Sequence, residues 1–447
     1  AGTIIPSQIN PSRLSNEEGD YNLFFEVKVY GMGFETYFVT RPTTSSSSPT
    51  VPIVPTVPFN MENDYMSIKI STTKIIEGIT IKPSFTISAF QLPWLYNSTT
   101  TGPQKGGAYI FIPTGEATHT FIKSINLELV KGPLVTELYQ EFTSIGGSTF
   151  YYQVIRLYSG NSNIEKYFDI LHQVGVIPIN TDVITRWQTN IGSKNFLYTD
   201  DNAYAKQKRV RVDSTSPYYP GNYWPSVYYS YIETYFPTTP QARLTVVHDY
   251  THGAGTFSSG AMELMMHRRT STDDGRGLNQ ALDDTHVVHP KHRVMLNEIG
   301  DTSSSDQDEE RIKQMYRLNF PLSYYYGKPT SPIFLWKSKY RGSFQPIGVI
   351  PRNVHVLSLS LITVTTTNLR FIVRLQHLYG ANEFPIHYAQ PVTIDIRSVL
   401  PFTVLPSDIV EMTLTGNEVV NPSPGFMITL TPKQIRTFYV TTTYQTG

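Results

Sequence analysis

Short runs in which apolar and polar residues alternate follow one another along most of this chain. Runs such as YMSIKIS, AYIFIP, YYQVIRLY and ARLTVVHD have the two-residue period of strands with one buried face. Aromatic residues make up 13% of the chain and include 30 tyrosines, which pack well on pleated sheets. The best helical candidate is the short segment Gln307 to Tyr316. The sequence therefore predicts an all-β protein.

Proline, glycine and serine divide the chain into four predicted parts. Residues 1–42 contain a pair of alternating strands that turn at Gly31–Gly33, and we interpret them as the end of a small β domain begun in a missing N-terminal chain. Residues 43–59 are a Ser/Pro linker, because proline cannot donate to a sheet ladder. The regular strands of residues 60–353 suit one large antiparallel super-sandwich, and residues 354–447 a C-terminal β-sandwich.

Charge and cysteine content narrow the possible functions. The 36 basic and 36 acidic side chains give a formal net charge of zero, whereas a nucleic-acid partner calls for a basic excess. No apolar stretch approaches the roughly 18 residues of a membrane span. The absence of cysteine excludes disulfides, thiolate metal sites and a cysteine nucleophile. The chain opens on Ala1 without an initiator Met, from which we expect a mature or cut N-terminus.

Two local patterns have more than one interpretation. Asn97 stands in the triplet Asn97-Ser98-Thr99, a candidate glycosylation site, although such triplets also arise by chance. In HVVHPKH, the spacing of His286, His289 and His292 could suit zinc, but Pro290 interrupts any regular helix or ladder. A polar turn is the favoured interpretation of that segment.

The segment from Gly260 to Leu282, GAMELMMHRRTSTDDGRGLNQAL, is the most suggestive in the chain. Its alternation predicts a strand that ends at Arg268 and Arg269, followed by a turn rich in Asp, Gly and Arg. Guanidinium and carboxylate groups in one short loop can form an ion-pair network that fixes one arginine rigidly. From the residues alone, a structural corner is the favoured interpretation.

This HRR and DDGRG combination resembles the characteristic segment of lysosomal-type α-mannosidases of glycoside hydrolase family 38. Further matches follow in the family's order: GGAYIFIP, KGPLVTELYQEF, NFLYTDDNAY, GNYWPSVYYSYI, VHVLSLS, RFIVRLQH, PVTIDIR and IRTFYV. The series covers nearly the whole chain after about residue 20. It identifies the chain as similar to the C-terminal half of such an enzyme, a large antiparallel β super-sandwich flanked by smaller β-sandwich domains.

The resemblance implies a retaining glycosidase that hydrolyses terminal α-linked mannose from glycans through two carboxylates. In the family, those carboxylates and the zinc ligands lie in an N-terminal α/β domain that this chain lacks. We therefore expect the chain alone to be inactive and to ligate no metal. It would complete an active site built mainly by an N-terminal zinc-bearing chain from the same precursor, in the lysosome, an equivalent acidic vacuole or outside the cell. The family often forms dimers, which leaves a homodimer of the assembled enzyme open.

The resemblance also assigns sugar contacts. The tyrosine of the family's GAY segment and the second arginine of its HRR segment correspond to Tyr109 and Arg269. A tyrosine hydroxyl both donates and accepts, and arginine offers a fixed fork of donors, so both groups can orient a sugar. The alternatives are an ordinary core tyrosine and a purely structural ion pair. Four neighbours are expected to support this loop: Arg268, Asp273, Asp274 and Arg276.

Two further interpretations compete with a part of an enzyme. A non-catalytic carbohydrate-binding or scaffold β protein could derive from the same family. An unrelated adhesin or capsid-like β protein would fit the composition but not the ordered motifs.

Overall fold

A computed structural model describes most of the chain. The described residues are 3–40, 49–160, 164–212, 219–235, 239–299, 305–345, 349–381, 383 and 385–443. Contacts between Cα atoms divide the chain into two compact units. The first comprises residues 1–26, 46–301 and 313–321, and the second comprises residues 27–45, 302–312 and 322–447.

Strands dominate the described residues, as the sequence predicts. The first fourteen strands are β1 (Ser7–Pro11), β2 (Tyr21–Phe25), β3 (Phe34–Glu35), β4 (Phe59–Glu62), β5 (Met66–Ile70), β6 (Ile76–Ile81), β7 (Phe85–Asn97), β8 (Ile122–Lys131), β9 (Val135–Ser144), β10 (Thr149–Tyr158), β11 (Phe168–Val174), β12 (Thr181–Thr189), β13 (Phe196–Asp201) and β14 (Ala205–Val210).

The remaining strands are β15 (Tyr223–Ser226), β16 (Tyr229–Glu233), β17 (Ala242–His248), β18 (His252–Gly255), β19 (Ala261–Arg269), β20 (Lys291–Glu298), β21 (Ser343–Phe344), β22 (Val354–Val364), β23 (Asn368–His377), β24 (Val392–Asp395), β25 (Ile409–Met412), β26 (Val419–Asn421), β27 (Met427–Leu430) and β28 (Ile435–Thr443). Two α-helices, α1 (Ser305–Asn319) and α2 (Ile333–Lys339), are accompanied by 3-10 turns at Pro220–Asn222, Ile396–Val399 and Pro406–Asp408. Helix α1 contains the predicted helix and extends beyond it, whereas α2 was not predicted.

Two large antiparallel sheets form the first unit. One has nine strands in the order β14-β13-β16-β17-β20-β11-β10-β9-β8, and the other has eight in the order β15-β18-β19-β12-β7-β6-β5-β4. Buried side chains from both sheets make one apolar core, with Leu138 and Val246 from the first sheet and Ile79 and Met262 from the second. The side chains alternate in and out because successive residues of a strand face opposite sides of the sheet. The predicted all-β super-sandwich is confirmed.

A smaller sandwich forms most of the second unit. Its five-stranded sheet has the order β22-β23-β28-β25-β26, and a separate pair joins β24 to β27. Val373, Phe438 and Val440 of the larger sheet and Ile428 and Leu430 of the pair lie in one buried cluster. The run VHVLSLSLITVTTTNLRFIVRLQHLY contains β22 and β23, which pair with each other as a hairpin.

The strand pairing near the N-terminus differs from the sequence prediction. The predicted hairpin turning at Gly31–Gly33 is absent from the described residues, since β2 pairs with β1 and β3 pairs with β21. Alternation predicts that a segment is a strand but does not specify its partner. In the predicted linker, residues 43–48 lie outside the described residues, Ile53 forms a bridge with Leu129, and β4 begins at Phe59. The four domain boundaries stay predictions.

The segment AYIFIP is a second correction, because residues 108–113 form a loop rather than a strand. The backbone N–H groups of Tyr109 and Ile110 donate to the carboxylate of Asp274 and not to a neighbouring strand. The Phe111 ring packs against Tyr96, with ring centroids 5.3 Å apart. The alternation in this segment therefore reflects a loop with one packed side.

A buried ion pair lies on the nine-stranded sheet. Asp169 is fully buried and accepts hydrogen bonds from Arg293 at 2.8 and 3.0 Å and from the Tyr158 hydroxyl at 2.8 Å, with Lys291 Nζ 3.1 Å away. Burial alone would raise the pKa of the Asp169 carboxyl, but Arg293 and Lys291 outweigh it and hold that pKa well below its usual range.

We expect Asp169→Ala to lower the free energy of unfolding of this unit by about 3–5 kcal/mol, because it leaves Arg293 buried without its carboxylate. The control is Glu77→Ala, since Glu77 pairs with Lys69 on the surface and the pair should contribute no more than about 1 kcal/mol. Urea unfolding followed by circular dichroism measures both. Equal, small effects would mean that Arg293 finds another partner or water.

Candidate functional site

The predicted site residues gather at one end of the eight-stranded sheet. Strand β7 ends there at Asn97, β12 begins at Thr181, and β19 ends at Arg269. These three residues lie opposite one another in neighbouring strands. Two loops leave this end, and one of them carries Tyr109 while the other carries Asp274.

A β-bulge in β19 determines where its two arginines point. His267 lies opposite Val183 and Met265 opposite Ile184, so Met266 is an extra residue between them. A bulge reverses the faces of the residues that follow it relative to regular alternation. Arg268 and Arg269 still point to opposite faces of the sheet. Because of the bulge, each points to the face opposite to the one that it would have in a regular strand.

Arg268 joins the sheet to the loop that carries Tyr109. Its Nε donates to Oδ1 of the fully buried Asp182 at 2.8 Å, and its Nη2 donates to the Ile110 carbonyl at 2.9 Å. The Ser98 hydroxyl donates to Oδ2 of Asp182 at 2.6 Å. A carboxylate that is hydrogen-bonded at both oxygens thus fixes the guanidinium, and the supporting role of Arg268 stays a prediction.

Tyr109 has a fixed backbone and an exposed ring. Its N–H donates to Asp274 Oδ2 at 2.6 Å, and the N–H of Ile110 donates to the same oxygen at 2.9 Å. The tyrosine itself is 65% exposed, and its hydroxyl has no hydrogen-bond partner among the described residues. The alternative of an ordinary core tyrosine is wrong.

Burial would raise the pKa of the Asp274 carboxyl, but the three backbone N–H groups of Tyr109, Ile110 and Arg276 outweigh it. They hold the pKa below its usual range. Asp274 is therefore a carboxylate at neutral pH and acts as an acceptor only. It is the member of the DDGRG turn that contacts the Tyr109 loop most closely.

Arg269 is held at two of its nitrogens. Its Nε donates to Asp283 Oδ1 at 2.6 Å, and its Nη1 donates to the Ile177 carbonyl at 3.1 Å. Within the described part of the chain, its Nη2 has no acceptor. The side chain is 20% exposed, so the guanidinium is oriented by the protein and keeps donors for a further contact.

The other predicted residues have smaller parts in this arrangement. Among the described residues, Asp273 accepts only the N–H of Gly275, at 3.0 Å, and Arg276 donates to the Gln104 side chain at 2.7 Å. Asn97, the candidate glycosylation site, is exposed at the end of β7, and its modification stays a prediction. Sequence analysis missed Asp182 and Asp283, and no local pattern could have found them because they act on arginines that lie elsewhere in the sequence.

A polar cluster supports the loop from beneath. Phe111 packs against Tyr96 and against Tyr223, whose ring centroid is 4.9 Å away. Below them, the buried carboxylate of Glu263 accepts hydrogen bonds from the Tyr96 hydroxyl at 2.9 Å, the Tyr223 hydroxyl at 2.6 Å and Arg186. Burial raises the pKa of Glu263 despite the adjacent guanidinium. Buried polar groups that are hydrogen-bonded to one another in this way favour a single arrangement of the loop.

The segment HVVHPKH does not bring its three histidines together. His286 is exposed beside Asp284, His289 contacts Ser15, and His292 is buried in β20, so the polar-turn interpretation is wrong for His292. Among the described residues, no group of three or more His, Cys, Asp or Glu side chains is placed to hold a metal ion.

His292 belongs instead to a row of buried imidazoles between strands. Its Nδ1 lies 3.1 Å from His172 Nε2, and its Nε2 lies 3.1 Å from His252 Nε2. The row ends at the Tyr151 hydroxyl, 2.9 Å from His172 Nδ1, and at the Met265 carbonyl, 2.7 Å from His252 Nδ1. We call these three rings the histidine row. A fourth buried ring, His248, lies beside it, with a ring-centroid distance of 4.7 Å to His252.

Hydrogen-bond chemistry fixes the protonation of the histidine row. A carbonyl only accepts, so His252 carries its proton on Nδ1 and accepts at Nε2. His292 must then donate from Nε2 and accept at Nδ1, and His172 must donate from Nε2 and accept from the Tyr151 hydroxyl. Every ring nitrogen is satisfied with all three rings neutral. A proton added to one of these rings would require every hydrogen bond between that ring and Tyr151 to exchange its donor and its acceptor.

Comparisons with known proteins agree with this architecture. Residues 61–276 match the family model described as the glycosyl hydrolases family 38 C-terminal domain. The chain is similar to the lysosomal alpha-mannosidase of Felis catus, with 27% identity over 98% of this chain and 45% of that protein. It is also similar to the epididymis-specific alpha-mannosidase of Homo sapiens, with 26% identity over 98% of this chain and 50% of that protein. The chain thus spans about half the length of these relatives.

Among solved structures, an alpha-mannosidase from Enterococcus faecalis V583 has a TM-score of 0.62 to this chain. The alignment covers 98% of this chain and 49% of that one, with 11% sequence identity, and shows a shared fold. In the described part of the chain, no helix has the length and apolar character needed to cross a membrane.

Proposed function

Since the chain carries the C-terminal domain of family 38 of the glycosyl hydrolases, we propose that it is part of a retaining α-mannosidase. In this proposal it completes an active site built mainly by an N-terminal part of the same precursor, which holds zinc and the two reacting carboxylates. The substrates are glycans with terminal α-linked mannose. The proposal includes proteolytic processing into chains that stay together, an inactive C-terminal chain when alone, and a lysosomal location.

One observation carries this proposal. Tyr109 and Arg269 lie at the same end of one sheet, both held by carboxylates, and both keep polar atoms without partners among the described residues. A surface tyrosine held only for stability would not need a fixed backbone and a free hydroxyl. A hydroxyl carried by a fixed backbone and an oriented guanidinium can together orient a sugar whose glycosidic bond is attacked by groups of the other part.

The first test is to purify the chain with everything that remains bound to it. We expect a zinc-bearing partner from the same precursor and α-mannosidase activity in the complex, with neither zinc nor activity in the separated chain. Intact mass, N-terminal sequencing, zinc analysis and hydrolysis of a mannoside measure these properties on one sample. A lone, zinc-free chain that binds mannose without hydrolysing it would contradict the proposal and favour the carbohydrate-binding alternative.

A further inference from the structure

The loop that carries Tyr109 is fixed by a single carboxylate from a distant part of the sequence. Asp274 Oδ2 accepts the two successive N–H groups of Tyr109 and Ile110, and its Oδ1 accepts the N–H of Arg276 at 3.1 Å. The Tyr109 and Asp274 positions are separated by 165 residues. This carboxylate therefore joins two loops that the sequence alone does not relate.

Other contacts hold the same two loops together. The Thr272 hydroxyl donates to the Gly106 carbonyl at 2.8 Å, and the Gln104 side chain donates to the Asp274 carbonyl at 3.3 Å. Arg268 holds the peptide from the opposite side through the Ile110 carbonyl. The backbone at Tyr109 and Ile110 is thus fixed at its donors and at its acceptor.

Gly107 makes the approach of the two loops possible. A Cβ atom at this position would lie 2.7 Å from the Asp274 backbone nitrogen and 2.8 Å from its Cβ and Cγ atoms. Those distances are too short for any side chain, so a residue larger than glycine would push Asp274 away from the Tyr109 N–H. The GGAY segment therefore needs its second glycine for contact with Asp274.

The backbone of Tyr109 is fixed by several contacts, although its side chain is exposed. The Tyr109 ring is 65% exposed, so the contacts of its backbone do not serve to bury it. Fixing the backbone that carries a side chain before the ligand arrives removes part of the ordering cost from binding and from the reaction. We propose that Asp274 is a positioning residue, which acts on the substrate through Tyr109. This inference rests on the proposed function.

Hydrogen exchange tests the positioning without any activity measurement. In Asp274→Ala, the amides of Tyr109 and Ile110 should exchange at least about tenfold faster, because each loses a charged acceptor. Asp273→Ala is the matched control, since within the described part of the chain that neighbouring carboxylate accepts only the Gly275 N–H. Gly107→Ala should increase exchange at the same two amides with the carboxylate still present. Unchanged exchange in Asp274→Ala would overturn the positioning role.

The kinetic test uses the assembled enzyme and a double-mutant cycle. Asp274→Ala should lower kcat/KM for a mannoside about 10- to 100-fold, and Asp274→Asn, which keeps one acceptor oxygen, should recover part of the loss. In a Tyr109→Ala background, Asp274→Ala should have little further effect, because the group that it positions is gone. A purely structural role would give the same loss in both backgrounds.

The outcomes separate this inference from the proposed function. If Tyr109→Ala itself leaves kcat/KM unchanged, the sugar contact of the proposed function is wrong, and so is the role of Asp274 in it. If Tyr109→Ala impairs the enzyme but the two effects multiply, the proposed function stands and the positioning role is wrong. A loss in Asp274→Ala confined to the Tyr109-containing background supports both.

Discussion

Arg269→Ala is expected to lower kcat/KM of the assembled enzyme on an α-mannoside about 10- to 100-fold or more while leaving assembly intact. The side chain is already oriented by Asp283 and the Ile177 carbonyl, and its Nη2 has no acceptor among the described residues. A charged hydrogen bond to the sugar is worth roughly 1.5–3 kcal/mol, which corresponds to that loss. Asp283 is exposed, and an ion pair with an exposed partner contributes little to the free energy of unfolding. The fold should therefore persist without the Arg269 side chain.

Two further variants make this test specific. Arg209→Ala removes a partly buried guanidinium from β14, at the edge of the other large sheet, and should leave kcat/KM unchanged. Arg269→Lys keeps the charge but loses the planar fork, so it should restore only part of the activity. Size-exclusion chromatography checks assembly in each case. Wild-type kinetics in Arg269→Ala would leave the ion pair with Asp283 as a structural feature alone and remove the sugar contact.

The strands could be predicted from sequence because their cause is local. β-Branched and aromatic side chains at every second position give a half-buried strand whatever its partner is, and β5, β10, β17 and β28 were predicted in this way. Partners could not be predicted, since pairing depends on residues far away in the chain. The alternation of Tyr21–Phe25 is compatible with either neighbour, and the chain pairs it with β1.

The site was predicted only in part, because several of its contacts also join residues that are far apart in the sequence. The resemblance supplied Tyr109 and Arg269, and the turn after β19 suggested an ion-pair network. The bulge at Met266 was not predicted, because Leu264, Met265 and Met266 are three apolar residues in a row and their letters do not show which one is extra. The network also involves different residues from those expected: Asp274 fixes the Tyr109 loop, whereas Asp182 and Asp283 fix the two arginines.

The histidine row and the neighbouring His248 lead to the second large prediction, which concerns acid. Lowering the pH from 7 to 5 should destabilise the unit that contains the two large sheets. Burial lowers the pKa of His172 to about 3 and of His252 to about 4, and it holds those of His248 and His292 well below their ordinary value. Neighbouring histidines also lower the pKa values of His172, His248 and His292, but not that of His252. Among the described residues, none of these four histidines has an acidic hydrogen-bond partner.

The sign of the effect follows from proton uptake. As the pH falls below about 6.5, the unfolded chain protonates these histidines, whereas in the native state the pKa is about 3 for His172, about 4 for His252 and well below its ordinary value for His248 and His292. The free energy of unfolding therefore falls with the pH through this window, by up to about 1.4 kcal/mol per pH unit for each histidine. Ordinary carboxyl groups titrate near pH 4, so they add little between pH 7 and 5.

A pair of variants isolates the contribution of the histidine row. His292→Gln should flatten the dependence of the unfolding free energy on pH between 7 and 5, even though its stability at pH 7 is lower. His286→Gln is the control for the change from imidazole to amide, because it removes an exposed ring that lies outside the histidine row. Urea unfolding at pH 7, 6 and 5 gives the slope for each variant. Burial raises the pKa values of the Glu263 and Asp249 carboxyls, so these two groups increase the free energy of unfolding as the pH falls. Their contribution is present in every variant and cancels when the slopes are compared.

An equal slope in His292→Gln and the wild-type chain would mean that the histidine row takes up protons in the native state, with the Tyr151 hydroxyl turned to accept. A flatter slope would mean that the row stays neutral, as its hydrogen bonds require. In that case the sandwich is weakest in acid, where the proposed lysosomal location would put it. The stability remaining at pH 5, measured with and without the N-terminal part, then decides whether this unit withstands acid alone or depends on its partner.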